Sequence, residues 1–277
     1  MNAAAAERFL AQNAALPTMP EVATKLIRSF DDDNISLGAL AALIGKDSTL
    51  TAKVLRLANS ARYSPSHKIE HLPDAAAALG MDTLRNLSLA ASLCSTFPVV
   101  AGLDRSRFWR HSLATATYAN MISRQLQLDA DTAYLAGLML RTGELLMAMQ
   151  QPQEVAEAET HTARPGSRFE VEQARFDCTH ADVTAALAAR WHFPDTLVEA
   201  FRHAGAPLAA KPFNRMGAVL HLAEVLADAV EHHEGPTEAL KLVEPELVEH
   251  LHLDLAWLEE KIVAAGDVGC EVEALLH

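Results

Sequence analysis

A few titratable side chains set among apolar ones are the groups in this chain that could do chemistry. The stretch AGLMLRTGELLM, residues 136–147, is nearly all apolar, and Arg141 stands inside it. A charge in such a run is costly to bury unless it is paired. Upstream lies His111, in Phe108-Trp109-Arg110-His111-Ser112-Leu113. Downstream come His180 and then His203, which follows Trp191-His192-Phe193-Pro194. Imidazole nitrogens suit borderline divalent ions, and three neutral imidazoles hold zinc if they converge. Arg141 would then have to point away. A guanidinium about 5 Å from a dication repels it by roughly 7 kcal/mol at an effective dielectric of about 20. The bland alternative for any one histidine is a satisfied, half-buried imidazole on a helix, and His221 and His192 are read that way.

Helices must carry these groups. Leu135, Leu138, Met139, Leu145 and Leu146 recur at helical spacing and predict one central helix from Asp129 or Asp131 to Gln150-Gln151-Pro152. β-branched alternation is absent, while alanine and leucine dominate, so the fold class is all-α. A short helix is expected over 3–14, and another from Pro20 to about Phe30. Ser36 and then Asp47 or Ser48 are expected to cap two helices joined at Gly45. Asn59 is expected to end the second of these in a left-handed conformation. Further helices are expected over 81–97, 104–127, 153–161, 169–176, 181–191, 195–203 and 216–230, followed by an acidic helical tail over 236–277.

The chain has 277 residues, of which 50% are hydrophobic, enough for a large core in one or two domains. Its net charge of −13 argues against a general nucleic-acid binder, which shows a basic face. The helix–Gly–helix unit around Gly45 carries Lys53 and Arg56, with Arg62 beyond. It reads as a tight α-hairpin with solvated basic residues, because its polar face lacks the Asn or Gln that reads base edges. Asp31-Asp32-Asp33-Asn34 reads as a solvated turn, since no EF-hand spacing follows. Cys94, Cys178 and Cys270 are far apart and odd in number, which favours buried reduced thiols in a reducing, cytosolic setting. The N-terminus has no basic start and reads as no signal peptide. No apolar run reaches the length of a membrane span.

Ordered phrases along the chain resemble a known family. Leu16-Pro17 with Pro20, Gly45-Lys46-Asp47, Leu55-Arg56-Leu57-Ala58-Asn59-Ser60-Ala61 and Ala78-Leu79-Gly80 come first. Phe108-Trp109-Arg110-His111, Ala136-Gly137-Leu138, Gly143, His180-Ala181-Asp182, Trp191 with Pro194, and His203 follow. Over about residues 14–210 the chain resembles the HDOD family, a degenerate branch of the HD phosphohydrolase superfamily. The resemblance implies a bacterial, cytoplasmic, all-helical protein with a signalling or regulatory role. It also implies two packed helical bundles: an N-terminal subdomain over 1–100 and an HD-like subdomain over 101–235, with a C-terminal extension over 236–277.

HD enzymes hydrolyse phosphate esters with divalent metals, and their central helix reads LLHDIG, its His-Asp pair binding metal. Here the six positions read Leu138, Met139, Leu140, Arg141, Thr142 and Gly143, so Leu140 and Arg141 fill the pair. By the same resemblance His111 matches the early histidine, and His180 and His203 match later ones. Ala204 stands where active relatives have a further His. Glu224, or less well Asp228, stands in for a late aspartate. The expectation is a vestigial pocket of His111, Leu140, Arg141, His180 and His203, with no catalytic residue, metal or cofactor. Arg141 either pairs with Glu144 on the next turn or sits at the old metal position, bonded to Asp182, Glu172 or an anion. The expected function is non-catalytic regulation through a protein partner, with neither membrane nor nucleic acid involved. Two alternatives are a residual metal-dependent phosphohydrolase using His111, His180, His203 and Glu224, and a sensor of an anionic ligand such as a nucleotide with Arg141 as counter-charge.

Overall fold

The computed structural model describes residues 3–11, 17–30, 32, 34–60, 63, 68–100, 102–241, 243–267 and 272. Leu16, Asp31, Asp33, Ala61, Arg62 and Cys270, singled out above, lie outside them. Among the described residues the structure is helical with no strand.

The first helices are α1 (Ala3–Ala11), α2 (Glu21–Arg28), α3 (Leu37–Ile44), α4 (Ser48–Ala58), α5 (Leu72–Leu79) and α6 (Met81–Thr96). The caps expected from sequence are in place. Ser36 Oγ accepts from the Ala39 amide at 3.1 Å, and Asp47 Oδ1 from the Leu50 amide at 2.9 Å. Each satisfies a donor that the first helical turn leaves open, a contribution of about 1 kcal/mol. Asn59 does not take the left-handed conformation expected of it. Its φ is −90°, and its side chain bonds the Leu55 and Ile69 carbonyls and the Ile69 amide, tying α4 to the segment before α5. Lys53 is not on a solvated face either. It is buried where α4 packs on α6 and donates to Ser95 Oγ at 3.0 Å. Helices α2 to α5 all pack on α6, and α6 lies against the helix Ala130–Met139 of the following group.

That group comprises α7 (Arg105–Gln125), α8 (Ala130–Met139), α9 (Thr142–Gln150), α10 (Pro152–Glu159), α11 (Ser167–Phe176), α12 (His180–Arg190), α13 (Asp195–Ala204) and α14 (Arg215–Glu231), with a 3-10 turn at Pro207–Ala209. Helix α7 is buried on most of its circumference, by Phe108, Trp109, Leu113, Tyr118 and Ile122 among others, and packs between α8 and α14. Its crossing with α8 is close. A Cβ on Gly137 would lie 2.7 Å from Ala116 Cα, so only glycine fits. Helix α1 packs on α12 and α9, within this second group, with Phe9 edge-on to Phe176. The last elements are α15 (Pro236–Leu240), α16 (Pro245–Leu251) and α17 (Leu255–Ala265), which pack on α14, the 3-10 turn and α7.

The single central helix expected over 129–150 is two helices. Asp129 caps α8 as expected, accepting from the Asp131 and Thr132 amides. The helix then breaks at Leu140 and Arg141, and α9 starts at Thr142. Three hydroxyl bonds replace the interrupted backbone ladder. Thr184 Oγ1 donates to the Leu140 carbonyl and accepts from the Gly143 amide, each at 2.8 Å, and Thr142 Oγ1 donates to the Met139 carbonyl. Gly143 allows α12 to come this close, since a Cβ there would lie 2.1 Å from the His180 carbonyl oxygen. Buried polar groups that lose a ladder partner must find another, and α12 supplies it.

Cys94 and Cys178 are buried free thiols, and burial pushes the Cys178 thiol up to about 12. No helix is long and apolar enough to cross a membrane among the described residues.

Candidate functional site

The α8–α9 break aims Arg141 into the space between α7 and α14. Helix α14 presents Glu224, Asp228 and Glu231 at i, i+4 and i+7, one stripe along one face. Arg141 Nε lies 2.5 Å from Glu224 Oε1, Nη2 bonds Asp228 Oδ1, and Nη1 lies 3.3 Å from Glu231 Oε2. The guanidinium fork matches carboxylate geometry, so each nitrogen has a carboxylate of its own. Asp228 Oδ2 also accepts from the Gly166 amide at 2.9 Å, and Thr115 Oγ1 donates to Glu224 Oε2 at 3.1 Å.

His111, from α7, completes this wall. Its Nε2 lies 3.1 Å from Glu224 Oε2 and its Nδ1 3.0 Å from Glu231 Oε2. Burial and Arg141 both pull the His111 pKa down, but Glu224 and Glu231 outweigh them and hold it up, at about 9. Glu224 is fully buried, which favours its neutral form, yet Arg141 and His111 hold it well below the usual carboxylate range.

A second set of buried charges adjoins the first. His180 begins α12, and its Nδ1 lies 2.7 Å from Glu172 Oε2, which also accepts from the His180 amide at 2.7 Å. Burial opposes the charge on His180, but Glu172 raises its pKa. His180 Nε2 has no hydrogen-bond partner among the described residues and stands 3.9 Å from Glu224 Oε1. Arg168 lies 3.4 Å from Glu144, 3.9 Å from Glu172, and bonds Glu159. Arg141, Arg168, His111 and His180 thus face six carboxylates, those of Glu144, Glu159, Glu172, Glu224, Asp228 and Glu231. Pairing of this kind is what makes buried charge tolerable.

The structure brings His111, Arg141 and His180 together. Leu140 is fully buried beside them and contributes its carbonyl. His203 is elsewhere, on α13, paired with Glu199 of its own helix at 3.5 Å and packed against Gly217. Arg141 bonds none of Glu144, Asp182 and Glu172. Glu144 faces Arg168, Glu172 holds His180, and Asp182 closes the capping box of α12 with Thr179. His221 is the half-buried, satisfied imidazole expected, stacked on Phe169 with Nδ1 at 2.8 Å from the Ala204 carbonyl oxygen. His192 instead is exposed, at φ +61°, in the turn that ends α12. Sequence reasoning missed Glu231 and Arg168, and weighed Glu224 and Asp228 only as metal ligands. The 3- and 4-residue spacing of acids in an otherwise apolar helix was the available signal.

A dication, which HD chemistry implies, does not fit this arrangement. His111, Glu224 and Asp228 do offer ligand atoms within 4.8 Å of one another. Both carboxylates, however, already hold the Arg141 guanidinium, whose repulsion of a dication about 5 Å away is roughly 7 kcal/mol at a dielectric of about 20.

The family described as HDOD domain matches residues 16–207. A solved HDOD domain protein of unknown function from Geobacter sulfurreducens superposes with a TM-score of 0.81 at 23% identity, covering 99% of this chain and 97% of that one. A proposed phosphohydrolase from Shewanella amazonensis superposes with a TM-score of 0.82 at 25% identity, covering 99% and 98%. A proposed signal transduction protein from Marinobacter aquaeolei gives 0.78 at 21% identity, covering 99% of this chain and 64% of that one. An uncharacterized protein from Treponema pallidum is 24% identical over 191 residues, which is 68% of this chain and 37% of the relative.

Proposed function

Because the chain belongs to the HDOD domain family, we propose that it is a non-catalytic regulatory protein of the bacterial cytoplasm. In this reading it acts on a protein partner in a signalling pathway and keeps an HD-like pocket without its chemistry. The observation that supports this is the seat of Arg141, a permanent cation bonded to the carboxylates that a metal would need. His111, held charged by Glu224 and Glu231, and His180, whose pKa Glu172 raises, serve structurally here and not as ligands or bases. Within this proposal residues 1–100, 101–235 and 236–277 are the N-terminal subdomain, the HD-like subdomain and the extension, with α1 lent to the second.

Elemental analysis of the purified chain, with phosphodiesterase and nucleotidase screens, tests the reading. The expected result is no stoichiometric metal and no turnover. Turnover that disappears on His111→Ala would overturn it.

A residual metal-dependent phosphohydrolase is the second reading, favoured by the convergence of His111, Glu224 and Asp228. It requires Arg141 to leave their carboxylates, and stoichiometric transition metal would support it. The anionic-ligand reading has less support, because Arg141 already contacts three carboxylates.

A further inference from the structure

A separate cavity of about 440 Å³ opens between α11, α14, α16 and the 3-10 turn. Its apolar lining includes Phe169, Leu222, Val225, Val243 and Leu247. His221 lines it too, and its Nδ1 lies 2.8 Å from the Ala204 carbonyl oxygen. A carbonyl only accepts, so Nδ1 carries the proton and Nε2 keeps its lone pair. Burial lowers the His221 pKa, so the ring is neutral. No described side chain bonds Nε2, which leaves it as an acceptor for whatever enters.

The rim carries charge. Arg164 and Glu170 pair with each other at 2.6 Å. Glu244 is exposed, forms no ion pair among the described residues, and is near enough for His221 to feel its charge. Two acceptors thus bracket an apolar space, and the surplus rim charge is negative.

We propose that this cavity binds a small amphipathic amine. Its flat apolar body lies among Leu208, Val225 and Val243, the partly exposed apolar walls, a hydroxyl or ring N–H donates to His221 Nε2, and its ammonium group meets Glu244. The volume is in the range of small-molecule sites, and a mostly apolar lining with a few placed polar groups is their usual make-up. Phe169 stacks on His221, with centroids 5.3 Å apart, and on His180, at 4.8 Å. An occupant bonded to His221 is therefore linked through the Phe169 ring to His180. This site goes beyond the regulatory reading and stands whether or not Arg141 excludes metal.

Tyramine, titrated into the full chain by calorimetry and by ¹⁵N NMR of the imidazoles, tests it. Tyramine is expected to bind and to shift His221 Nε2 upfield. Phenethylamine, which lacks the hydroxyl, should bind about five- to tenfold more weakly, the worth of one hydrogen bond. The anion 4-hydroxyphenylacetate should not bind. Glu244→Gln, on an exposed side chain, keeps the fold and should weaken tyramine about fivefold, as an exposed ion pair does. His221→Phe should erase the difference between tyramine and phenethylamine. Absence of heat and of any His221 shift at millimolar tyramine would overturn the proposal. Equal binding of the anion, or undiminished affinity in Glu244→Gln, would do so as well.

Discussion

Arg141 and Glu224 meet at 2.5 Å, Nε to Oε1, across 83 residues of chain and out of contact with solvent. One residue comes from a helix break and the other from the middle of α14, so their contact joins α8, α9 and α14 around α7. Among the described residues Glu224 has no other guanidinium partner, and Arg141 has two further carboxylates.

Removing the cation should therefore be far worse than removing a surface charge. Arg141→Met leaves Glu224 and Asp228 buried without their counter-ion and is expected to destabilise the fold by about 3–5 kcal/mol. Arg141→Lys keeps the charge but loses the fork and should fall between. The double variant Arg141→Met with Glu224→Gln should recover part of the loss. Urea unfolding of the wild type, Arg141→Met, Glu224→Gln and the double variant measures the coupling. A change under about 1 kcal/mol for Arg141→Met, the size of a surface pair, would contradict the buried network.

Alkali should loosen the same cluster. The folded His111 pKa, at about 9, is above the ordinary 6.5. A raised pKa gives stability that is complete below the unfolded value and is lost as pH rises through the folded one. The window is therefore pH 6.5 to 9, and the loss about 3 kcal/mol. His180, also raised, adds in the same sense. On the acid side, Glu172, Glu224 and Glu231 have lowered values, so their contribution is lost below about pH 4.5. Unfolding midpoints from pH 6 to 10 should fall for the wild type and fall less for His111→Gln. Identical slopes would mean that His111 is neutral in the fold.

Much of this architecture was legible in the residues. Ser36, Asp47 and Asp129 announced helix starts because capping is local chemistry between a side chain and the next turn's amides. The break at Leu140–Arg141 was not legible, since its cause, Thr184, is more than 40 residues away and acts only once α12 has packed. The partners of Arg141 were missed for a related reason. Glu144 was the neighbour by helical spacing, but the break turned Arg141 off that helix face and toward α14. His203 shows the converse, a residue in the right order whose helix does not point it into the cluster.

Two glycine-to-alanine changes should differ in sign. At Gly143 a Cβ would lie 2.1 Å from the His180 carbonyl and 2.8 Å from the Thr184 amide nitrogen, both backbone atoms that cannot step aside cheaply. Gly143→Ala is expected to cost about 2–3 kcal/mol and to disturb the α9–α12 contact. Gly38, inside α3, has nothing within 4 Å of such a Cβ. Gly38→Ala should stabilise by about 0.5–1 kcal/mol through helix propensity. Thermal unfolding distinguishes them, and a neutral Gly143→Ala would mean that the hydroxyl-bridged break is not tightly packed.

Exchanging the cation for an anion should turn the cluster into a metal site. Arg141→Asp adds a fourth ligand residue, an oxygen donor, to His111, Glu224 and Asp228, whose ligand atoms lie within 4.8 Å of one another. Without metal the variant gathers carboxylates that repel one another, and it should unfold well below the wild type. Manganese or zinc supplies the missing positive charge and should raise its melting temperature with concentration, as a ligand that binds only the folded state does. The wild type, with Arg141 in place, should show no such rise. If both proteins responded alike, the guanidinium would not be what bars a dication from the pocket. If neither responded, His111, Glu224 and Asp228 would lack the freedom to close around an ion even after Arg141 is gone.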